Sequence, residues 1–393
     1  MTRNELLLIA EDEYARRLER IRREMKEASL EALLISDYSN LYYLTGRVYR
    51  GYAYVPAEGM PIFFVRRPIK LEGDGVVYIH KPEEMGESLG LSLPSSIGLE
   101  LDLLSYTSAL RLRKAFGEIP MVNASPLMRA VRAVKTPVQI NLIRESGIHH
   151  VEVYRRIPQI YEPGMRDFEL QIAIERVARL EGCLGQFRIS GDTMEIYMGN
   201  LLVGDNAENP TPYDFAMGGR GMDPSLPVGC DGTLIRPGDS VMVDMNGNFT
   251  GYMTDMTRTF RLGEIAPLAV KAHECSRAIC GRLADEGRPG VEAKSLYETA
   301  ERMVKEEGLE RYFMGYGQKA GFIGHGVGIE INELPVIAPR SRDILQEGNV
   351  IALEPKFVIP GTGAVGIENT YVVEADGMKC LTPAPEDIKD LTK

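Results

Sequence analysis

Residues 243–260 read V-D-M-N-G-N-F-T-G-Y-M-T-D-M-T-R-T-F, two β-branched and apolar runs around the turn-like N-G-N-F-T-G. Each run carries one acid, Asp244 and Asp255. A carboxylate inside a strand is costly to bury without a partner, so the pair predicts a cation nearby. Residues equidistant from a hairpin turn face each other across the strands. These two acids are eleven residues apart about a midpoint between Phe249 and Thr250, which predicts that they lie nearly opposite. The pattern recurs downstream. I-A-L-E-P-K-F at 351–357 and A-V-G-I-E-N-T-Y-V-V at 364–373 carry Glu354 and Glu368, fourteen apart about Gly361 in P-G-T-G. Between the two hairpins lies His325, in G-F-I-G-H-G-V-G-I-E-I-N-E at 321–333.

Taken singly, each position has an ordinary reading: an Asp at a hairpin end forms the turn, a lone His is a packed or surface group, and a strand Glu faces water. The constellation argues otherwise. Two facing carboxylate pairs repel unless they are protonated or bridged by cations. Two divalent ions about 3.5–4 Å apart resolve the repulsion and leave a bridging water to be activated. The expectation is a dinuclear metal centre.

These residues and their motifs resemble the pita-bread metalloproteins, which include methionine aminopeptidase, aminopeptidase P, prolidase and creatinase. The resemblance covers essentially the whole chain and is nearest to the aminopeptidase P and prolidase branch, which carries an extra amino-terminal domain. It implies an α+β architecture: a pita-bread catalytic domain with a pseudo-twofold repeat, preceded by a smaller α/β domain of the creatinase/prolidase type. It also implies that Asp244, Asp255, His325, Glu354 and Glu368 are the metal ligands, with His325 serving one ion. Glu354 would in addition shuttle a proton from the attacking water to the leaving nitrogen. A homodimer is implied too, the amino-terminal domain of one subunit helping to wall the other's site.

With 393 residues the chain is too long for one compact core. Residues 13 to 29 have the pattern of a charged amphipathic helix, whose interleaved Glu makes its basic cluster a solvated face rather than a nucleic-acid surface. E-A-L-L-I-S-D-Y, P-I-F-F-V, G-V-V-Y-I-H and I-G-L-E-L-D read as strands, and 105 to 117 as a helix. A stretch like N-L-Y-Y-L-T-G occurs in the family's amino-terminal domain. The break V-N-A-S-P places the domain boundary at 125/126, giving 1–125 and 126–393. Thr136 and Pro137 mark a helix start. Helices are expected at 164 to 182, 265 to 286 and 291 to 308, so that two helices and a hairpin are followed by two helices and a hairpin. The long polar segment 184 to 225 reads as loop, with G-G-R-G at 218–221 a mobile stretch rather than a phosphate loop, since it lacks the Lys-Ser/Thr ending. Its Tyr197, Met198, Tyr213 and Phe215 are equally suited to lining a substrate site and to packing under the loop.

The net charge of −11 argues against nucleic acid and anionic membranes as partners. No apolar run approaches membrane length, and five scattered cysteines predict free thiols in a reducing cytoplasm. A site rich in oxygen ligands with a single nitrogen favours manganese, iron or cobalt over zinc, manganese first. Such a centre makes hydroxide available near neutral pH and stabilises an oxyanion, so hydrolysis is the default reaction.

Three positions depart from the family's pattern. Its peptidases carry one substrate-contacting His in a segment like L-P-H-Y, where this chain has Leu226, Pro227, Val228 and Gly229. They carry another in E-x-H-E, where this chain has Glu330, Ile331, Asn332 and Glu333, leaving Asn332 as a neutral hydrogen-bond donor that takes the catalytic position. In E-P-K-F, Lys356 stands where the family has Gly, and is placed on the opposite face of the strand from Glu354. His149 and His150 sit in an expected helix, pointing about 100° apart, and are assigned to surface or packing. The leading expectation is an Xaa-Pro dipeptidase or aminopeptidase acting on short peptides. The alternative is a metal-dependent hydrolase or lyase of a small nitrogen or sulfur metabolite, which would account for Val228 and Asn332. A non-catalytic binding protein is the third class, disfavoured by the retention of all five ligands.

Overall fold

The computed structural model describes residues 11–90, 93–190 and 196–392. Two compact units meet at Arg132 and Ala133. That junction lies inside the helix Ser125–Ala133, seven residues past the position read from V-N-A-S-P. The break at Ala124 separates a strand from a helix and not one core from another.

The first unit is a six-stranded mixed sheet. Its strands are β1 (Ala32–Ile35), β2 (Arg50–Pro56), β3 (Ile62–Arg67), β4 (Val76–Tyr78), β5 (Ile97–Leu99) and β6 (Met121–Asn123), in the order β4-β3-β2-β1-β5-β6. Leu34, Tyr54, Phe64, Leu99 and Phe116 fill its core. N-L-Y-Y-L-T-G forms the helix Tyr38–Thr45, started by the Asp37 side chain on the Ser39 and Asn40 amides and ended by Gly46 in the left-handed conformation. Beneath it the buried Glu100 accepts from the Ser36 and Asp37 amides and from Asn40 Nδ2, at 2.6 to 2.7 Å.

The second unit opens with the helix Pro137–Arg155. Thr136 and Gln139 cap it reciprocally and Pro137 occupies its first turn, where the missing N–H is no loss. The helix Asp167–Glu181 follows, and then β7 (Gly199–Val203), which the glycine-rich composition of 184 to 225 concealed. β8 (Ser240–Asn248) and β9 (Met253–Arg261) make the first hairpin. The helices Pro267–Glu286 and Ala293–Glu306 come next, the latter burying Leu296, Ala300 and Val304 at helical spacing. Then come β10 (Gly324–Gly326), β11 (Glu333–Ile337), β12 (Val350–Leu353), β13 (Lys356–Ile359), β14 (Gly363–Gly366), β15 (Asn369–Glu374), β16 (Gly377–Cys380) and β17 (Lys389–Asp390). The sheets are ordered β17-β9-β8-β7, β11-β10-β12-β15-β16 and β13-β14. Two helices and a hairpin thus occur twice, and each half presents one carboxylate pair.

Within 184 to 225, the backbone of G-G-R-G is tied to neighbouring segments by hydrogen bonds. The Gly219 amide donates to Asn209 O, the Gly221 amide to Gly229 O and the Arg220 amide to Asn206 Oδ1. Met198 is core, Tyr197 is half exposed, and Tyr213 and Phe215 line a small cavity with Tyr316 and Gln318.

Candidate metal centre

Alternate residues of a strand share a face. On β8 and β9 one face gives Val243, Met245 and Met256 to the core, and the other carries Asp244, Asp255 and Thr257. Asp244 pairs with Thr257 and Asp255 with Asn246. The two acids are therefore diagonal neighbours and not directly opposite, because the turn is centred one residue later than its composition suggested. Tyr154 pins this hairpin: its hydroxyl donates to Met256 O at 2.6 Å and accepts from the Met245 amide at 3.1 Å.

In the second hairpin, Leu353 pairs with Asn369 and Lys356 with Gly366. One register runs through both ladders and sets Glu354 across from Glu368, as the midpoint at Gly361 predicts. Both acids fall in the short interval between strands, where the two hairpins are stitched together. Thr257 and Glu368 exchange backbone hydrogen bonds of 3.3 and 3.1 Å, and Thr257 Oγ1 donates to Glu368 Oε2 at 2.7 Å. The buried Arg258 adds a further tie, donating to Glu368 O and to Asn369 Oδ1. The strand β10 delivers His325 Nε2 to 3.2 Å from Glu354 Oε1 and 3.8 Å from Asp255 Oδ2. All five residues named from the sequence are brought together, and the four acids are buried.

One placement is corrected. Lys356 is not on the opposite face from Glu354: residues two apart in an extended chain share a face. Its ammonium lies 2.8 Å from Asp244 Oδ2, 2.7 Å from Glu354 Oε2 and 3.1 Å from Glu368 Oε2, and the side chain is fully buried. Spacing alone carried this signal, since E-x-K puts an acid and a cation on one side of a strand. Thr257, two residues after Asp255, was missed for the same reason.

The charges are strongly coupled. Burial raises Asp255 well above the usual carboxylate range, and the neighbouring acids add to the shift. Burial, then Glu354, pushes Glu368 up to about 8. Burial acts upward on Glu354 as well, but Lys356 and His325 outweigh it and hold that carboxyl down to about 2. For Lys356, burial favours the neutral amine, yet the three carboxylates prevail and hold it protonated.

Two groupings have the geometry to hold a cation: Asp255, His325 and Glu368, and Asp244, Glu354 and Glu368. The first fits a divalent ion. Glu368 belongs to both groupings, and its Oε1 is buried without a hydrogen-bond partner among the described residues, an arrangement that costs free energy unless a cation is coordinated. The second already surrounds the Lys356 ammonium, so the expected pair of ions does not fit both groupings as they stand.

The remaining expected residues are located as follows. Asn332 is committed to the backbone of the preceding loop: its Nδ2 donates to Ser190 O at 2.8 Å and its Oδ1 accepts from the Ser190 amide at 2.7 Å. One N–H and one acceptor position of its carboxamide are thereby tied to Ser190. Val228 is buried. His150 packs beneath the first hairpin with Nδ1 2.9 Å from Thr254 Oγ1, and His149 stacks on Phe249.

The chain belongs to metallopeptidase family M24, whose model matches residues 141–375. Residues 17–134 match the creatinase/prolidase N-terminal domain. The fold is accordingly a creatinase-type N-terminal domain followed by a pita-bread catalytic domain. The chain is 27% identical over 382 residues to an Xaa-Pro dipeptidase of Pyrococcus furiosus, covering 95% of this chain and 99% of that protein. Its structure is similar to a dipeptidase from Pyrococcus horikoshii OT3, with a TM-score of 0.77 and 26% identity over 95% of this chain and 99% of the other. The Xaa-Pro dipeptidase from Bacillus anthracis shares the fold, with a TM-score of 0.78, 21% identity and coverage of 96% and 99%. Family and relatives together indicate a metal-dependent hydrolase, and a lyase or hydrolase of small metabolites is not favoured.

Proposed function

We propose that this protein is a metal-dependent peptidase that cleaves short peptides of the Xaa-Pro type, as a dipeptidase or an aminopeptidase. The observation that carries the reading is the Asp255, His325 and Glu368 grouping, with both acids buried and one Glu368 oxygen unpartnered among the described residues, in a chain of family M24. A divalent ion held there, manganese first by the ligand chemistry, supplies an acidified water and positive charge for a developing oxyanion. Asp244, Asp255, His325, Glu354 and Glu368 are the proposed site residues. Glu354 stays ionised and is placed to accept a proton and pass it to the leaving nitrogen. Because Lys356 and His325 lower its basicity, that transfer requires close contact with the water. Asn332 acts at one remove, holding the 186–190 segment against residues 331 and 332. In that segment Arg188 O accepts from the Ile331 amide and Gln186 O accepts from Asn246 Nδ2. A homodimer working in the cytoplasm completes the proposal. The five cysteines are free, and among the described residues no helix is long and apolar enough to cross a membrane.

The test is hydrolysis of a panel of Xaa-Pro dipeptides and tripeptides by protein stripped of metal and reloaded with manganese, cobalt, iron or zinc. Cleavage that needs metal and vanishes in Asp255→Ala supports the proposal. Metal binding without cleavage of any peptide would refute it and restore the small-metabolite reading.

A further inference from the structure

The Lys356 ammonium makes three contacts of 2.7 to 3.1 Å with oxygens of three acids, Asp244, Glu354 and Glu368. That is how a cation sits in a carboxylate cage, not how a surface ion pair forms. The side chain has no exposed surface. Its backbone is held as firmly as its head. Lys356 pairs with Gly366 across β13 and β14, and its carbonyl accepts from the Met314 amide at 2.8 Å. A divalent ion at this position would have to displace an ammonium that already satisfies the same oxygens. The neighbouring grouping differs. Asp255 Oδ2 lies 3.8 Å from His325 Nε2, beyond hydrogen-bond distance, and Glu368 Oε1 has no partner among the described residues.

We propose that Lys356 serves as a built-in cation in place of one metal, so that the centre takes a single divalent ion, held by Asp255, His325 and Glu368. This rests on the reading of the cluster as a metal centre. It makes the protein a mononuclear variant in which a tethered ammonium fixes Asp244 and Glu354 whatever the metal supply.

Ions bound per chain decide the matter without reference to activity. Full-length protein is stripped, saturated with manganese(II), freed of excess and assayed by elemental analysis, beside Lys356→Ala. One ion per chain in the wild type and two in Lys356→Ala is the expected result. Two in the wild type, or one in both, overturns the exchange of lysine for metal and leaves the peptidase proposal standing. None in either protein removes the metal centre and both proposals with it. None in the wild type with any in the variant overturns the single-ion site. Should Lys356→Ala fail to fold, electron paramagnetic resonance of the manganese-loaded wild type decides alone. The hyperfine spectrum of an isolated ion supports the inference, and that of an exchange-coupled pair overturns it.

Discussion

At the scale of single residues, Lys356 has the largest consequences. Removing the charge while keeping the stem, as in Lys356→Met, strands three buried carboxylates. In the presence of a chelator this variant is expected to lose about 3–5 kcal/mol of stability, as for one partner of a buried ion pair. Urea unfolding would measure it, and an unchanged midpoint would show that the carboxylates are neutral without the lysine. His150 gives a separate pH signature. Burial lowers it to about 3 from an ordinary 6.5, so between those values the unfolded chain binds the extra proton. The sign follows: the folded state gains nothing further above pH 6.5 and loses stability as the pH falls toward 3. The slope from this group alone is about 1.4 kcal/mol per pH unit. Comparing wild type with His150→Phe at several pH values between 4 and 7 isolates it, and parallel curves would contradict the assignment. The acids could be picked out in the sequence one by one because each interrupts an apolar run. The position of Lys356 required the rule that residues two apart share a strand face, applied across the intervening Pro355.

At the scale of elements, hairpin register organises the site. The turn between β8 and β9 is centred one residue beyond the expected midpoint, which moves Asp244 and Asp255 from opposite to diagonal while keeping them on one face. Composition locates a turn only to within a residue, and a one-residue shift of the centre moves every cross-strand partner by two. The second hairpin follows its midpoint because P-G-T-G allows little choice: Gly361 has a φ of 75°. Close packing under the first hairpin leads to a test at Gly247. A Cβ there would come within 2.6 Å of the His150 ring and of Thr254 Oγ1. Gly247→Ala is expected to cost about 1–3 kcal/mol by overpacking, and equal melting temperatures would show that His150 can step aside. Asn332→Ala removes two hydrogen bonds to Ser190. It is expected to cost about 1–3 kcal/mol locally and to speed amide exchange in residues 186 to 190, with exchange elsewhere unchanged. Exchange at the wild-type rate in that segment would show that the clamp is redundant.

At the scale of the whole molecule, metal should be a stabilising ligand as well as a reagent. A ligand that binds only the folded state adds about 2.7 kcal/mol when present at a hundred times its Kd. Chelation is therefore expected to lower the melting temperature of the wild type, and manganese to restore it, with little response in Asp255→Ala. A melting temperature indifferent to chelator would mean that no ion occupies the cluster. Two helix–hairpin halves, an amino-terminal α/β unit and the two acid pairs follow from local patterns and spacings that the linear chain displays, and the resemblance to the pita-bread family adds His325. The sequence by itself determined that the four acids meet on paired strands, because burying carboxylates within apolar strands leaves few arrangements, while His325 joined them through the family resemblance of its G-H-G-V-G stretch. Only the tertiary structure decided what fills the cage they form. Whether three of the acids face a metal or the ammonium of Lys356 depends on side-chain direction and reach across two hairpins, and on where Asn332 spends its hydrogen bonds. Those are properties of packing between segments more than a hundred residues apart in the chain, and local pattern carries no information about them.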